Sequence, residues 1–229
     1  MFYDFGVGLG GNTIDFVMKL FNYNFKDAVK WLQNEFDSFS FHQLEPNFIS
    51  RQINKGKSYS ITKAQTLQNT ILIDYLKSRC LNISLCTKYL CEVYYKINDK
   101  KYFGVGFKND VGGIEIRNKY AKLCLGKKWF TRIKNNQSKV IVIESWSDFI
   151  SLLTLYPELE KSYDYIILNP FATLSKLDDV FESYLEIMFT LDNDEAGSKA
   201  TKHYVDKWQN CLIDIRFIYQ NSKDINDFL

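Results

Sequence analysis

The chain has 229 residues, 46% of them hydrophobic and 24% charged, with a formal net charge of +2. That balance fits a globular protein with a real core and excludes a disordered or collagen-like chain. No apolar run approaches the roughly 18 residues of a membrane helix, and MFYDFGVGLGG at the start lacks the basic and apolar regions of a signal peptide, so a cytoplasmic protein without a membrane partner is expected.

In chain order, GGNTIDFVMKLFNYNFKDAVKWLQNEF, from Gly10, predicts two short helices. Ile14, Val17, Met18 and Phe21 recur at helical spacing, as do Phe25, Val29 and Leu32, and Asn12 is placed to cap the first. Residues 37–66 are polar, hold Pro46 and Gly56, and read as a linker. ITKAQTLQNTILIDYLKSRC predicts another helix and NISLCTKYLCEV a shorter one. From Tyr94, aromatic and β-branched stretches alternate with the turn dipeptides Asn98-Asp99, Asn109-Asp110 and Gly112-Gly113, the pattern of a small antiparallel sheet.

That sheet is basic. Residues 96–139 hold 12 Lys and Arg against 3 Asp and Glu. Arg117, Lys119, Lys122, Lys127 and Lys128 are candidates to hold a phosphate backbone, the alternative being a solvated basic face. The asymmetry extends to the whole chain: residues 1–137 carry 21 Lys and Arg to 11 Asp and Glu, and residues 138–229 carry 8 to 16. A basic half that meets a polyanion and an acidic half that meets cations would produce this, as would two lobes that attract each other. The five cysteines form no CxxC pair, which reads as reduced thiols and not as a zinc site.

From Lys139 the texture changes. VIVI, YIIL, IMFTL and IDIRFIY are short buried strands with helices between them, which predicts a parallel α/β sheet. In such sheets functional groups sit at the carboxyl ends of the strands. Glu144 ends VIVI, with Asp148 four residues on. Asp192 follows IMFTL, with Asp194 two residues beyond, and Asp224 and Asp227 come after the last strand. All six acids fall on one predicted edge. Clustered carboxylates raise one another's pKa, and they become stable when hard cations such as magnesium share them. The Ala-Gly after Asp194 suits a tight turn into the next helix.

These motifs carry a resemblance. Strand-Glu-x-x-x-Asp, here IESWSD, followed by strand-Asp-x-Asp-x-Ala-Gly, here LDNDEAG, resembles the TOPRIM domain shared by bacterial DnaG-type primases and topoisomerases. The closing KDIND resembles the end of primase-like TOPRIM proteins, and the resemblance covers residues 138–229. One position departs: the family usually has glycine after the glutamate, where this chain has Ser145. The basic segment resembles the part of the primase core that guides template. The start, FYDFGVGLGGNTIDFVMKL, resembles the tail of the primase zinc ribbon, but Asp4 and Val7 stand at the two cysteine positions, so no zinc is expected. Either the chain is a fragment or the ribbon has become a packing element.

The resemblance implies a fold of parallel-sheet TOPRIM type preceded by a smaller α+β domain. The expected divisions are a zinc-ribbon-tail segment at 1–36, a linker at 37–66, a basic α+β subdomain at 67–137 and the TOPRIM domain at 138–229. It implies metal-dependent nucleotidyl transfer, RNA primer synthesis on single-stranded DNA. Mg2+ or Mn2+ would be held by Asp192, Asp194, Asp224 and Asp227, with Glu144 and Asp148 as catalytic carboxylates. Nucleoside triphosphates are the implied substrates, a helicase is an implied partner and a mobile element or phage the implied setting. A TOPRIM nuclease and a non-catalytic nucleic-acid-binding accessory protein are the alternatives.

Overall fold

A computed structural model of the chain describes residues 2–4, 9–11, 13–35, 59–169 and 171–229. Contacts divide it into two compact units, Met1–Gly56 and Lys57–Leu229.

In the first unit, strands β1 (Phe2–Asp4) and β2 (Leu9–Gly11) pair as an antiparallel ribbon. Helices α1 (Thr13–Phe21) and α2 (Phe25–Glu35) follow. Ile14, Val17, Ala28 and Leu32 form their shared core. The Asn24 side chain starts α2 by accepting the Asp27 N–H at 3.0 Å. The expected Asn12 cap and residues 36–58, most of the expected linker, lie outside the described residues.

The second unit contains two sheets. The first is an antiparallel meander in the order β3-β4-β5-β6-β7: Tyr59–Thr66, Cys91–Ile97, Lys100–Lys108, Ile114–Arg117 and Lys122–Leu125. Asn98 and Asp99 both take positive φ, 48° and 64°, which makes the tight turn between β4 and β5. Two short helices, α3 (Thr70–Lys77) and α4 (Ile83–Tyr89), connect β3 to β4, each capped by an asparagine, Asn69 and Asn82. Here the chain departs from expectation. Residues 59–66 are a strand, not linker or helix. This edge strand is exposed along almost its whole length, so no burial alternation marks it in the sequence.

The second sheet has the order β12-β11-β9-β10-β8. Strands β9 (Lys139–Ile143), β10 (Asp164–Ile167), β11 (Glu186–Thr190) and β12 (Leu212–Asp214) run parallel, and β8 (Thr131–Ile133) joins β10 antiparallel. Helix α5 (Trp146–Leu155) links β9 to β10, α6 (Asp178–Phe181) precedes β11, and α7 (Glu195–Lys207) precedes β12. The last expected strand, IDIRFIY, is shorter than predicted: after Asp214 it turns into a 3-10 helix, Arg216–Tyr219, and α8 (Ile225–Phe228) closes the chain. The Arg216 N–H and Nε both bond to Asp214 Oδ1 at 3.0 Å, a local fork that competes with the ladder.

The two sheets share a core. Val105 and Phe107 of β5 pack in one cluster with Ile141, Ile143, Trp146 and Phe149. In the antiparallel register Val105 lies opposite Arg117, Phe107 opposite Glu115, and Arg117 opposite Lys122. Directly opposed residues share a face. The meander therefore turns Arg117 and Lys122 toward the parallel sheet, on the side where Val105 and Phe107 bury.

Candidate functional site

β9 sits inside the parallel sheet, with β10 on one side and β11 on the other. The chain leaves β9 for β10, and β11 returns to the opposite flank. That is a topological switch point, where a crevice opens beyond the carboxyl ends of the strands. Ile143 and Thr190 end β9 and β11 side by side. Glu144 and Asp192 then follow, one and two residues past the strand ends, and Glu144 Oε2 accepts the Asp192 N–H at 3.1 Å. The pairing of β9 with β11 brings together two acids 48 positions apart in sequence.

The remaining acids are held by local structure. Asp194 is the N-cap of α7, its carboxylate accepting the Gly197 N–H at 2.9 Å. The α7 start presses so close to the loop that a Cβ on Gly197 would stand 2.1 Å from the Asp192 carbonyl oxygen. The glycine of the Asp-x-Ala-Gly pattern is thus needed for close approach, not for a turn angle. Asp224 caps α8, accepting the Asp227 N–H at 2.8 Å, and Asp227 itself is exposed on that helix.

Asp148, on the first turn of α5, is only 3% exposed. Its Oδ2 accepts from the Ser145 hydroxyl and its Oδ1 from the Asn226 N–H at 3.4 Å. Ser145 has φ −137°, ordinary extended backbone, so the position does not require glycine here. Its hydroxyl also bonds to Ser147 Oγ at 2.8 Å. The serine is a built part of the acid site.

The carboxylates disturb one another. Burial, then the charges of Asp224 and Asp192, raises the Asp148 pKa to about 6 against the opposing pull of Ser145 and Arg117. Burial, then Glu144 and Asp224, raises Asp192 to about 6, with Lys223 pulling the other way. Glu144 is raised as well, by burial and by Asp194 and Asp148, although the Asp192 N–H and Lys122 favour its charge. Lys223 Nζ lies 3.6 Å from Asp192 Oδ2, and Asp192 is the main cause of a raised Lys223 pKa.

Of the basic candidates, Arg117 and Lys122 approach this cluster. Arg117 Nη1 donates to Ser147 Oγ at 2.8 Å, and its guanidinium lies 5.3 Å from the Trp146 ring centroid. Burial lowers its pKa and Asp148 raises it. Lys122 is lowered by desolvation and by Arg117, and raised by Glu144 and Asp148. Lys119, Lys127 and Lys128 are exposed, and Lys127 Nζ stands 5.0 Å over the Trp129 ring.

Two asparagines not singled out in the sequence hold the site. Asn193 Nδ2 donates to the Tyr219 and Ser222 carbonyls at 3.0 and 2.9 Å, and its N–H to the Lys223 carbonyl at 2.7 Å, fixing the closing segment to the Asp192 loop. Asn226 donates to the Arg79 carbonyl at 3.0 Å and to Ser151 Oγ at 2.9 Å, and accepts from the Arg79 guanidinium. Each asparagine sits between two acids of a motif, and Asn226 belongs to the closing KDIND pattern.

The donors are hard oxygens that repel each other, which suits a divalent cation of the Mg2+ or Mn2+ kind. Among the described residues, however, no three carboxylate, histidine or cysteine side chains converge as a ready-made metal group. Residues 141–229 match the Toprim-like family model. This segment is a Toprim-like domain. Upstream of it, residues 61–126 match a domain of unknown function (DUF8464), which spans most of the antiparallel meander. Among solved structures, the primase fragment of the bacteriophage T7 primase-helicase protein is similar at 18% identity and a TM-score of 0.47, over 78% of each chain. A chain from a bacteriophage T7 lagging-strand DNA polymerase structure, in which the polymerase interacts with primase domains bound to an RNA/DNA hybrid and dTTP, is similar at 16% identity and a TM-score of 0.43. That match covers 66% of this chain and 79% of the other. A search of curated proteins finds no match. No helix among the described residues is long and apolar enough to cross a membrane.

Proposed function

We propose that this is a primase-like Toprim protein that joins ribonucleotides on single-stranded DNA. The reading is carried by one observation: the Toprim-like segment brings Glu144 to the Asp192 loop at the switch point, where Glu144 Oε2 accepts the Asp192 N–H at 3.1 Å. Asp192, Asp194 and Asp224 are the proposed cation ligands, with Asp227 at their margin. A bound Mg2+ or Mn2+ would supply charge for the attacking and leaving oxygens of a phosphoryl transfer. Glu144, with a raised pKa near the Asp192 loop, is the proposed proton acceptor from an attacking hydroxyl. Asp148, held by Ser145 and Asn226, is a proposed orienting carboxylate. Lys119, Lys122, Lys127 and Lys128 would track the strand's phosphates, and Arg117 would stiffen the meander against α5. Nucleoside triphosphates are the proposed substrates and a helicase a proposed partner.

The Lys223–Asp192 contact favours a second reading, a nucleic-acid-binding module whose own lysine neutralises the acids. One gel separates the two. The protein is incubated with single-stranded DNA, four ribonucleotides of which one is labelled, and Mg2+ or Mn2+, beside the Asp192→Asn/Asp194→Asn double variant. Labelled oligoribonucleotides that vanish in the variant are expected. Shortened DNA would instead make the site a nuclease. No product, with DNA still retarded on a native gel, would leave the binding module.

A further inference from the structure

The hairpin that joins β6 to β7 carries a feature that packing does not explain. Tyr120, at its tip, is 78% exposed. The turn beneath it is firmly held. The Asn118 side chain accepts the Tyr120 and Ala121 N–H groups at 2.8 and 2.9 Å and donates to the Phe103 carbonyl at 2.8 Å, while the Asn118 N–H bonds to the Ala121 carbonyl at 3.1 Å. An aromatic ring is thus presented to water on a turn held by hydrogen bonds. Its neighbours are cationic. Lys119 is exposed beside it. Lys122 lies two residues on, at most about 7 Å of chain away, and feels the charges of Glu144 and Asp148.

We propose that Tyr120 is a stacking platform for one base of a single-stranded nucleic acid whose backbone passes Lys119 and Lys122 toward the acid cluster. A π-face tolerates any base, and flanking cations hold the phosphates, the combination that binds single strands without reading sequence. The rigid turn lowers the entropy lost when the ring is engaged. This platform rests on the nucleic-acid reading above and adds a contact that the acids and lysines do not supply.

The test compares binding of a labelled oligothymidylate of about 16 nucleotides with an abasic strand of equal length, by fluorescence anisotropy at one low salt concentration. Wild type, Tyr120→Ala, Tyr120→Phe and Lys119→Ala/Lys122→Ala are measured. Because Tyr120 is exposed, its variants should melt like wild type, which a thermal scan checks. Wild type is expected to prefer the strand with bases. Tyr120→Ala should bind it about 5- to 100-fold more weakly and lose that preference, and Tyr120→Phe should keep it. The lysine variant should weaken both strands alike. If Tyr120→Ala binds as wild type while the lysine variant is weakened, the platform is overturned and the nucleic-acid reading survives. If wild type binds neither strand, both fall.

Discussion

At the residue scale, the acids define what pH does to this protein. Asp192 has a folded pKa of about 6 against an ordinary 3.8, so the folded chain holds that proton more tightly than the unfolded chain does. The stability this contributes is fully present below about pH 4 and is lost as pH rises through about 6. Asp148 behaves the same way. At pH 8, without metal, the site therefore carries repulsion that Lys223 and Arg117 relieve only in part. Asp192→Asn should raise the metal-free melting temperature at pH 8 by a few degrees, on the order of 1–3 kcal/mol shared across a coupled cluster, and should do little at pH 4. Mg2+ should then stabilise wild type and not the variant. A variant that melts below wild type at pH 8 would show that the Lys223 contact outweighs the repulsion. Ser145 shows the limit of motif reading at this scale. It departs from the family's glycine, yet its φ is extended and its hydroxyl holds Asp148. A side chain's hydrogen bond is not visible in a motif whose family pattern has no side chain there.

At the element scale, the central strands β9 and β10 were legible because they are buried on both faces and read as apolar runs. Ile141, Val142 and Ile143 are all at most 1% exposed, and so are Ile166 and Ile167. β3 was not legible because it is a polar edge, and residues 61–66 were absorbed into the helix that follows. The start of α7 was legible in kind, as a turn at Ala-Gly into a helix, but not in cause. Gly197 makes a sharp test of that cause. Helix propensity alone makes Gly→Ala stabilising, by about 1 kcal/mol. The Asp192 carbonyl, 2.1 Å from the added methyl, is backbone and cannot swing aside. Gly197→Ala should therefore destabilise, by about 1–3 kcal/mol in urea unfolding, and should weaken Mg2+ binding by displacing the Asp192–Asp194 loop. A gain in stability would mean that the loop yields freely and that the glycine serves propensity-neutral packing only.

At the scale of the whole molecule, the split in charge was legible but its arrangement was not. Periodicity places Arg117 and Lys122 on strands; only the meander's register turns them onto the face that also carries Val105 and Phe107, beside the acids of the parallel sheet. Part of the basic half thus serves the acidic half directly. Arg117 is the clearest joint, with a 2.8 Å bond to Ser147 Oγ, a ring beneath it and a favourable field at Asp148. Removing the guanidinium should act on two readouts. In a double-mutant cycle of Arg117→Met and Ser147→Ala, the coupling should be about 1–2 kcal/mol, since a hydrogen bond from a charged donor is lost once, not twice. Arg117 also holds the Asp148 pKa down, so Arg117→Met should move the fall in metal-free stability to higher pH. Zero coupling with an unmoved pH profile would mean that the two sheets are joined by their apolar core alone and that Arg117 is free to meet a strand's phosphates.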